Sequence, residues 1–152
     1  MCIRDRYFNL DRHIIYRLNK SQPLKCYSSD SGNICIFRIP KTGVSQLNAI
    51  TYHLIKQANI HNGHVHYFCE SNDDDHRSSF FAYDRKTRIF NRSKQPIMKT
   101  DFINTFHGRV ALAIKGICVA GDLHICLNPV VYQVKVEQED DIGEIASNEC
   151  IF

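Results

Sequence analysis

With 152 residues, 43% of them hydrophobic and nine Phe and seven Tyr among them, the chain has the size and composition of one globular domain, not of a disordered segment. No apolar run approaches the roughly 20 residues a membrane helix needs, and charges stand near the start where a secretory signal would be apolar. The formal charge of +3 is segregated: residues 137–152 carry six acids and no Lys or Arg, which leaves 19 bases against 10 acids, or +9, on residues 1–136, so a basic body with an acidic tail is predicted.

Residues 1–6, Met-Cys-Ile-Arg-Asp-Arg, match the translation of a transposase mosaic-end adapter and are set aside as a remnant. Over 7–20, Ile14, Tyr16 and Leu18 alternate as in a strand. Ser28 to Asn33 is a turn cluster, and Ile34 to Ile39 is a short buried strand stopped by Pro40. Val44, Leu47, Ile50, Leu54, Ile55 and Ala58 fall at helical spacing, with Thr42 or Ser45 as the cap and Asn62-Gly63 as the stop.

A β region follows. His64 to Glu70 alternates, and Asp73-Asp74-Asp75 is a polar loop. Phe80 to Tyr83 and Arg88 to Asn91 flank a hairpin turn at Asp84 to Thr87. Lys94 to Asp101 is a loop containing Pro96. Val110 to Val119 is a strand with a bulge at Gly116. Gly121-Asp122 turns the chain, Leu123 to Leu127 returns it, Pro129 interrupts, and Val130, Tyr132, Val134 and Val136 alternate in a last strand. Several strands and one helix predict a mainly β (α+β) domain over 7–136. It is a small OB-like barrel or a curved antiparallel sheet with one packed helix, followed by a flexible acidic tail over 137–152.

The seven Cys, at positions 2, 26, 35, 69, 118, 126 and 150, are odd in number and form no C-x-x-C pair. That pattern reads as reduced thiols in an intracellular compartment, with Cys35, Cys118 and Cys126 acting as small hydrophobes inside strands.

The stretch FFAYDRKTRIFNRSK, Phe80 to Lys94, interleaves Arg85, Lys86, Arg88, Arg92 and Lys94 with Phe81, Tyr83 and Phe90. Single-strand binders need this mixture, because cations hold phosphates and flat rings stack bases. Alternation leaves open which rings face out and which face the core. The expected contacts are Arg85, Lys86, Arg88, Arg92, Lys94 and Lys115 on phosphates, with Tyr83 and Phe90 stacking. No cofactor and no metal is required.

The tail holds Asp140 and Asp141 and ends Glu149-Cys150-Ile151-Phe152. It resembles the acidic, aromatic-ended tails of bacterial and phage single-stranded DNA-binding proteins. The resemblance implies that the tail competes with DNA for the basic groove and recruits replication proteins. Arg109 to Val136, with Gly116-Ile117 and Gln133-Val134-Lys135-Val136, is similar to the C-terminal strand pair of OB-like single-stranded DNA-binding proteins of large eukaryotic DNA viruses and polinton-like elements, except that Cys118 stands where those proteins have Trp. This implies a sequence-tolerant single-stranded DNA-binding protein of viral or mobile-element replication, in the host nucleus or cytoplasm, with RNA as the other strand type and no membrane partner.

Two enzyme or metal readings stand beside it. His64-Val65-His66 with Tyr83-Asp84-Arg85-Lys86 resembles the motifs of HUH replication-initiator nickases, which implies metal binding by both His, attack on DNA by Tyr83, and Glu70 or Asp73 as a third ligand. His61, His64, His66 and Cys69 could instead form a structural zinc site, although their spacing matches no standard finger. A protein-interaction module with the tail as bait is the reading without nucleic acid.

Overall fold

Among the described residues the chain forms eight strands and one helix: β1 (Arg6–Arg17), β2 (Leu24–Ser28), β3 (Asn33–Ile36), α1 (Lys41–Gln57), β4 (His64–His66), β5 (Ser79–Phe90), β6 (Pro96–Ile97), β7 (Asn104–Ala120) and β8 (His124–Glu139). This computed structural model describes residues 6–18, 22–68, 79–99, 102, 104–121 and 124–139. The expected mainly β fold with one helix is observed, as a single curved sheet. It is mixed, not purely antiparallel, because β8 runs parallel to both β4 and β5.

The strands follow the order β1-β7-β2-β3-β5-β8-β4, with β6 beside β5 and an additional pairing of β7 with β8. That last pairing brings the path back on itself, so β2, β3, β5, β8 and β7 each have a hydrogen-bonded neighbour on both sides. β7 is shared along its length. Its first part pairs with β2 and its later part with β1, while β8 lies along the opposite edge from Phe106 to Ala120.

The inward positions of these strands make the core. Phe106, Val110, Leu112, Ile114 and Ile117 from β7 meet Val131 and Val134 from β8 and Cys26, Ile34, Ile36, Phe81 and Ile89 from the others. Each such fully buried aliphatic or aromatic side chain contributes roughly 1.5–3 kcal/mol. The helix adds Leu47 and Leu54 to that core through the stripe read in the sequence.

The helix ends differ from expectation. Pro40 takes the N-cap position with no side-chain cap bond, so neither Thr42 nor Ser45 caps it. The C-terminus is closed earlier than Asn62-Gly63. Asn59 adopts φ 57°, with Asn59 N–H donating to Lys56 O and Ile60 N–H to Ile55 O. This is a Schellman motif with Asn in the left-handed position. Two polar contacts fix the helix: Asn48 brackets the Phe68 backbone with two 2.8 Å bonds, and the Tyr16 hydroxyl donates to the Gln46 side chain.

The expected hairpin at Asp84 to Thr87 is a bulge inside one continuous strand. The Asp84 side chain accepts from Lys86 N–H and the Thr87 hydroxyl accepts from Asp84 N–H, so local polar groups absorb the extra residues without reversing the chain. The reversal comes later, at Asn91 to Gln95, where Lys94 takes φ 64° and Asn91 bonds Gln95 through backbone and side chain. Pro96, expected in a loop, pairs with Phe90 in β6.

β8 also departs from simple alternation. Pro129 lies within the strand, at the register shift between Ile114 and Gly116 of β7. Ala111 and Leu112 pair with Gln133 and Val131, which leaves Tyr132 as the extra residue and turns it outward. Glu137, Gln138 and Glu139 continue β8; the rest of the acidic tail lies outside the described residues.

Gly116 sits at the bulge read from the sequence, with φ 150°, and an added Cβ would stand 1.9 Å from the Phe8 carbonyl oxygen. Gly116→Ala is therefore expected to destabilise the fold by roughly 2–4 kcal/mol through backbone strain and displacement of β1. Urea unfolding measures this; a loss below about 0.5 kcal/mol would mean that β1 does not depend on that approach.

Candidate nucleic-acid interface

Outward positions on β1, β7, β8 and β5 line up in two rows. Arg17 of β1 is in register with Ala111 of β7, Ala111 with Gln133 of β8, and Gln133 with Arg88 of β5. In the next row Arg109, Lys135 and Phe90 are successive partners. The rows bound a groove lined by Arg17, Phe90, Arg109, Ala111, Gln133 and Lys135. Ala111 makes its floor, because a methyl group stands where the flanking positions carry long side chains. Arg92 follows Phe90 at the groove's end, beside Glu137 and Gln138.

One acid enters this basic field. Glu137 Oε1 lies 3.1 Å from Arg109 Nε and 3.3 Å from Lys135 Nζ. Partial burial pushes its carboxyl up, but the hydrogen bonds and charges of Lys135 and Arg109 outweigh that and hold it below the ordinary glutamate value. The carboxylate thus marks a place where two cations already hold an oxyanion.

The expected contact residues divide. Phe90 lines the groove, Arg88 stands beside it in register with Gln133 and donates to the Arg85 carbonyl at 3.4 Å, and Arg92 lies in an adjoining recess with Glu137 and Gln138. Arg85 and Lys86 are exposed on the β5 bulge and Lys94 on the following turn. Lys115 is 3.6 Å from Asp84 Oδ2. Tyr83 turns toward the core, and its hydroxyl is 2.8 Å from Ser28 Oγ. Burial raises the Tyr83 phenol above its ordinary value, against the lowering effect of the Ser28 bond, with the Cys26 thiol adding to the rise. The Tyr83 ring is thus half-buried, with its hydroxyl held at Ser28, and it borders a recess lined by Asp84, Arg85 and Lys99 and not the basic groove. Asp140, Asp141, Ile151 and Phe152 lie outside the described residues.

Sequence reasoning missed Arg17, Arg109 and Lys135, which reach the groove only through long-range register. It also missed a further row of register partners, Thr105, Tyr27, Cys35 and Phe80, across β7, β2, β3 and β5, in which Cys35 is buried. Tyr27 is 37% and Phe80 72% exposed, and Lys25 Nζ stands 5.6 Å from the neighbouring Phe37 ring. Alternation from buried Phe81 would have exposed Phe80.

The nickase motifs are separated. Tyr83 is in register with Val131 and His66 with Cys126, five residues apart along β8, or roughly 17 Å. Glu70, Asp73 and Cys69 lie outside the described residues. The described cysteines, Cys26, Cys35, Cys118 and Cys126, form no disulfide. Burial and the neighbouring Cys35 push the Cys26 thiol up to about 12. Among the described residues no helix is long and apolar enough to cross a membrane. The chain matches no family model, no curated protein and no solved structure.

Asp84 is held like Glu137: partial burial raises its carboxyl, and the Lys86 backbone bond, the Lys115 charge and the Thr87 bonds bring it below the ordinary value. A carboxylate depressed in the folded state stabilises fully above its unfolded value, about 4, and the contribution is lost as pH falls through the folded value. Melting temperature is expected to fall on acidification below about pH 4, and less steeply in Asp84→Asn and Glu137→Gln. Parallel wild-type and variant acid limbs would show that neither pairing contributes.

Proposed function

We propose that the chain binds single-stranded nucleic acid, DNA first, without base specificity, along the outer face of β1, β7, β8 and β5, as a replication protein of viral or mobile-element type. The observation that carries this reading is the groove that Arg17, Arg109 and Lys135 line together with the Phe90 ring, with Arg88 in the adjoining row and the Glu137 carboxylate held between Arg109 and Lys135. Three cations lining a groove, with Arg88 beside it, suit a phosphate backbone, and a flat ring on its wall suits an unpaired base.

The OB-like form of the domain is part of the proposal. The self-closing path β2-β3-β5-β8-β7 supports it, since it is a five-strand circuit with non-sequential neighbours, as in a Greek-key barrel. The helix lies between the second and third strands of that circuit. The Arg109 to Val136 stretch, similar to viral and polinton-like binders, is the β7–β8 pair itself. In this reading the tail with Asp140, Asp141, Ile151 and Phe152 competes for the groove and recruits replication partners. The acid already bound in the groove, Glu137, precedes Asp140 by three residues.

Titration of labelled single-stranded and duplex oligonucleotides over a range of salt tests the reading. Four neutralised phosphates give a log–log salt slope of about −3 for single strands. Arg109→Ala should reduce the slope by somewhat under one, because one phosphate contact is lost. Phe90→Ala should weaken binding by ~1–3 kcal/mol and leave the slope unchanged. Glu137→Gln should tighten binding at low salt, since it removes the competing anion, and the gain should shrink as salt rises. A slope near zero, or equal affinity for duplex, would remove the proposal.

A further inference from the structure

His64 and His66 of β4 face the same way, being two residues apart on a strand. β4 runs parallel to β8 with His64 in register with His124 and His66 with Cys126. A His-Val-His step and a His-Ile-Cys step therefore stand side by side on one face. The three imidazoles are exposed. Their ring centres are 5.0 Å apart for His64 and His66, 5.6 Å for His64 and His124, and 4.9 Å for His66 and His124.

Those spacings are compatible with three imidazoles on one metal ion. With metal–nitrogen bonds of about 2.0–2.1 Å, three imidazoles on a tetrahedral ion have ring centres about 5 Å apart. As the side chains stand, the nitrogens do not converge: His66 Nε2 and His124 Nδ1 share a hydrogen bond at 2.8 Å, and among the described residues no three metal-ligating groups surround a common point. The β4–β8 pairing already brings the three rings to this spacing. Two nitrogens on one tetrahedral ion lie about 3.3–3.4 Å apart, so the ion replaces the shared proton by parting that pair about half an ångström. Rotations about χ1 and χ2 are open to these exposed rings, His64 included.

We propose that His64, His66 and His124 form a binding site for a divalent transition-metal ion of the zinc class. Imidazole donors select zinc, copper or nickel over magnesium or calcium, and a three-nitrogen set of this spacing suits tetrahedral zinc. Cys126, in register with His66, borders the site on the same face. The inference is independent of nucleic-acid binding, because the site lies at the start of β8 and the basic groove near its end.

The probes are Zn²⁺ and Co²⁺ added to the metal-free full chain. One equivalent of Co²⁺ should produce the visible absorption of a tetrahedral cobalt site, displaced by Zn²⁺, and saturating Zn²⁺ should raise the melting temperature. His124→Ala should weaken cobalt binding at least about 100-fold, and His64→Ala and His66→Ala likewise. His53→Ala, on the exposed side of α1, should not change it. Unchanged metal-free melting temperatures verify that the variants remain folded. The proposal is overturned by the absence of a cobalt spectrum at tenfold excess metal, by octahedral absorption only, or by His124→Ala binding within about threefold of the parent.

Discussion

The antiparallel pairing of β7 with β8 is the constraint on which the remaining structure depends. It extends from Phe106 opposite Glu139 to Ala120 opposite His124, and every other strand except β3 and β6 pairs with one of these two. β1 and β2 use the far edge of β7, while β4 and β5 use the far edge of β8. The pairing is long but not regular. Register shifts fall at Gly108, at Ala111–Leu112 and at Ile114–Gly116. Each shift bends the ribbon and increases its twist, and a sheet that bends repeatedly can bring β2, β3 and β5 around to meet both strands. Gly108 belongs to this device: a Cβ there would stand 2.7 Å from the Lys135 carbonyl oxygen.

The same shifts decide what the outer face carries. A bulge changes which residues point outward, so Tyr132 and Gln133 are both exposed while Val131 and Val134 remain inside. Phase after the bulge places Lys135 outward, opposite Arg109, and the short Ala111 leaves a depression between Arg17 and Arg88. The basic excess of residues 1–136 is thus not spread evenly. Part of it is gathered from three strands into one groove, where like charges crowd each other and a resident carboxylate, Glu137, relieves the repulsion. An anion held by two cations in this way is balanced locally, and an incoming phosphate would exchange with it at little electrostatic cost.

Local chemistry was legible in the sequence, and long-range register was not. The helical stripe from Val44 to Ala58 and the bulge at Gly116 could be read because each is set by residues close in sequence. The hairpin at Asp84 to Thr87 was misread because Asp and Thr favour turns and bulges through the same side-chain-to-backbone bonds. What decided between them was the pairing of β5 with β3 before the bulge and β8 after it. The basic neighbours of Tyr83 suit an outward ring, but Ser28, 55 positions away, holds its hydroxyl. Arg17, Arg109 and Lys135 carried no local signal at all, since they become neighbours only when three strands align.

His124 makes the same point for the other end of β8. Read alone it is an exposed polar residue at the start of a strand. The parallel pairing with β4 sets it beside His64, a relation that no local window contains. Along β8 the outward residues pass from imidazole and thiol at His124 and Cys126 to the charged set of Lys135 and Glu137. Eleven residues separate His124 from Lys135, roughly 35 Å of extended chain, well beyond the Debye length of about 8 Å at physiological ionic strength. Charge placed at one end is therefore screened from the other, and a single strand carries two chemistries that neither perturb nor require each other.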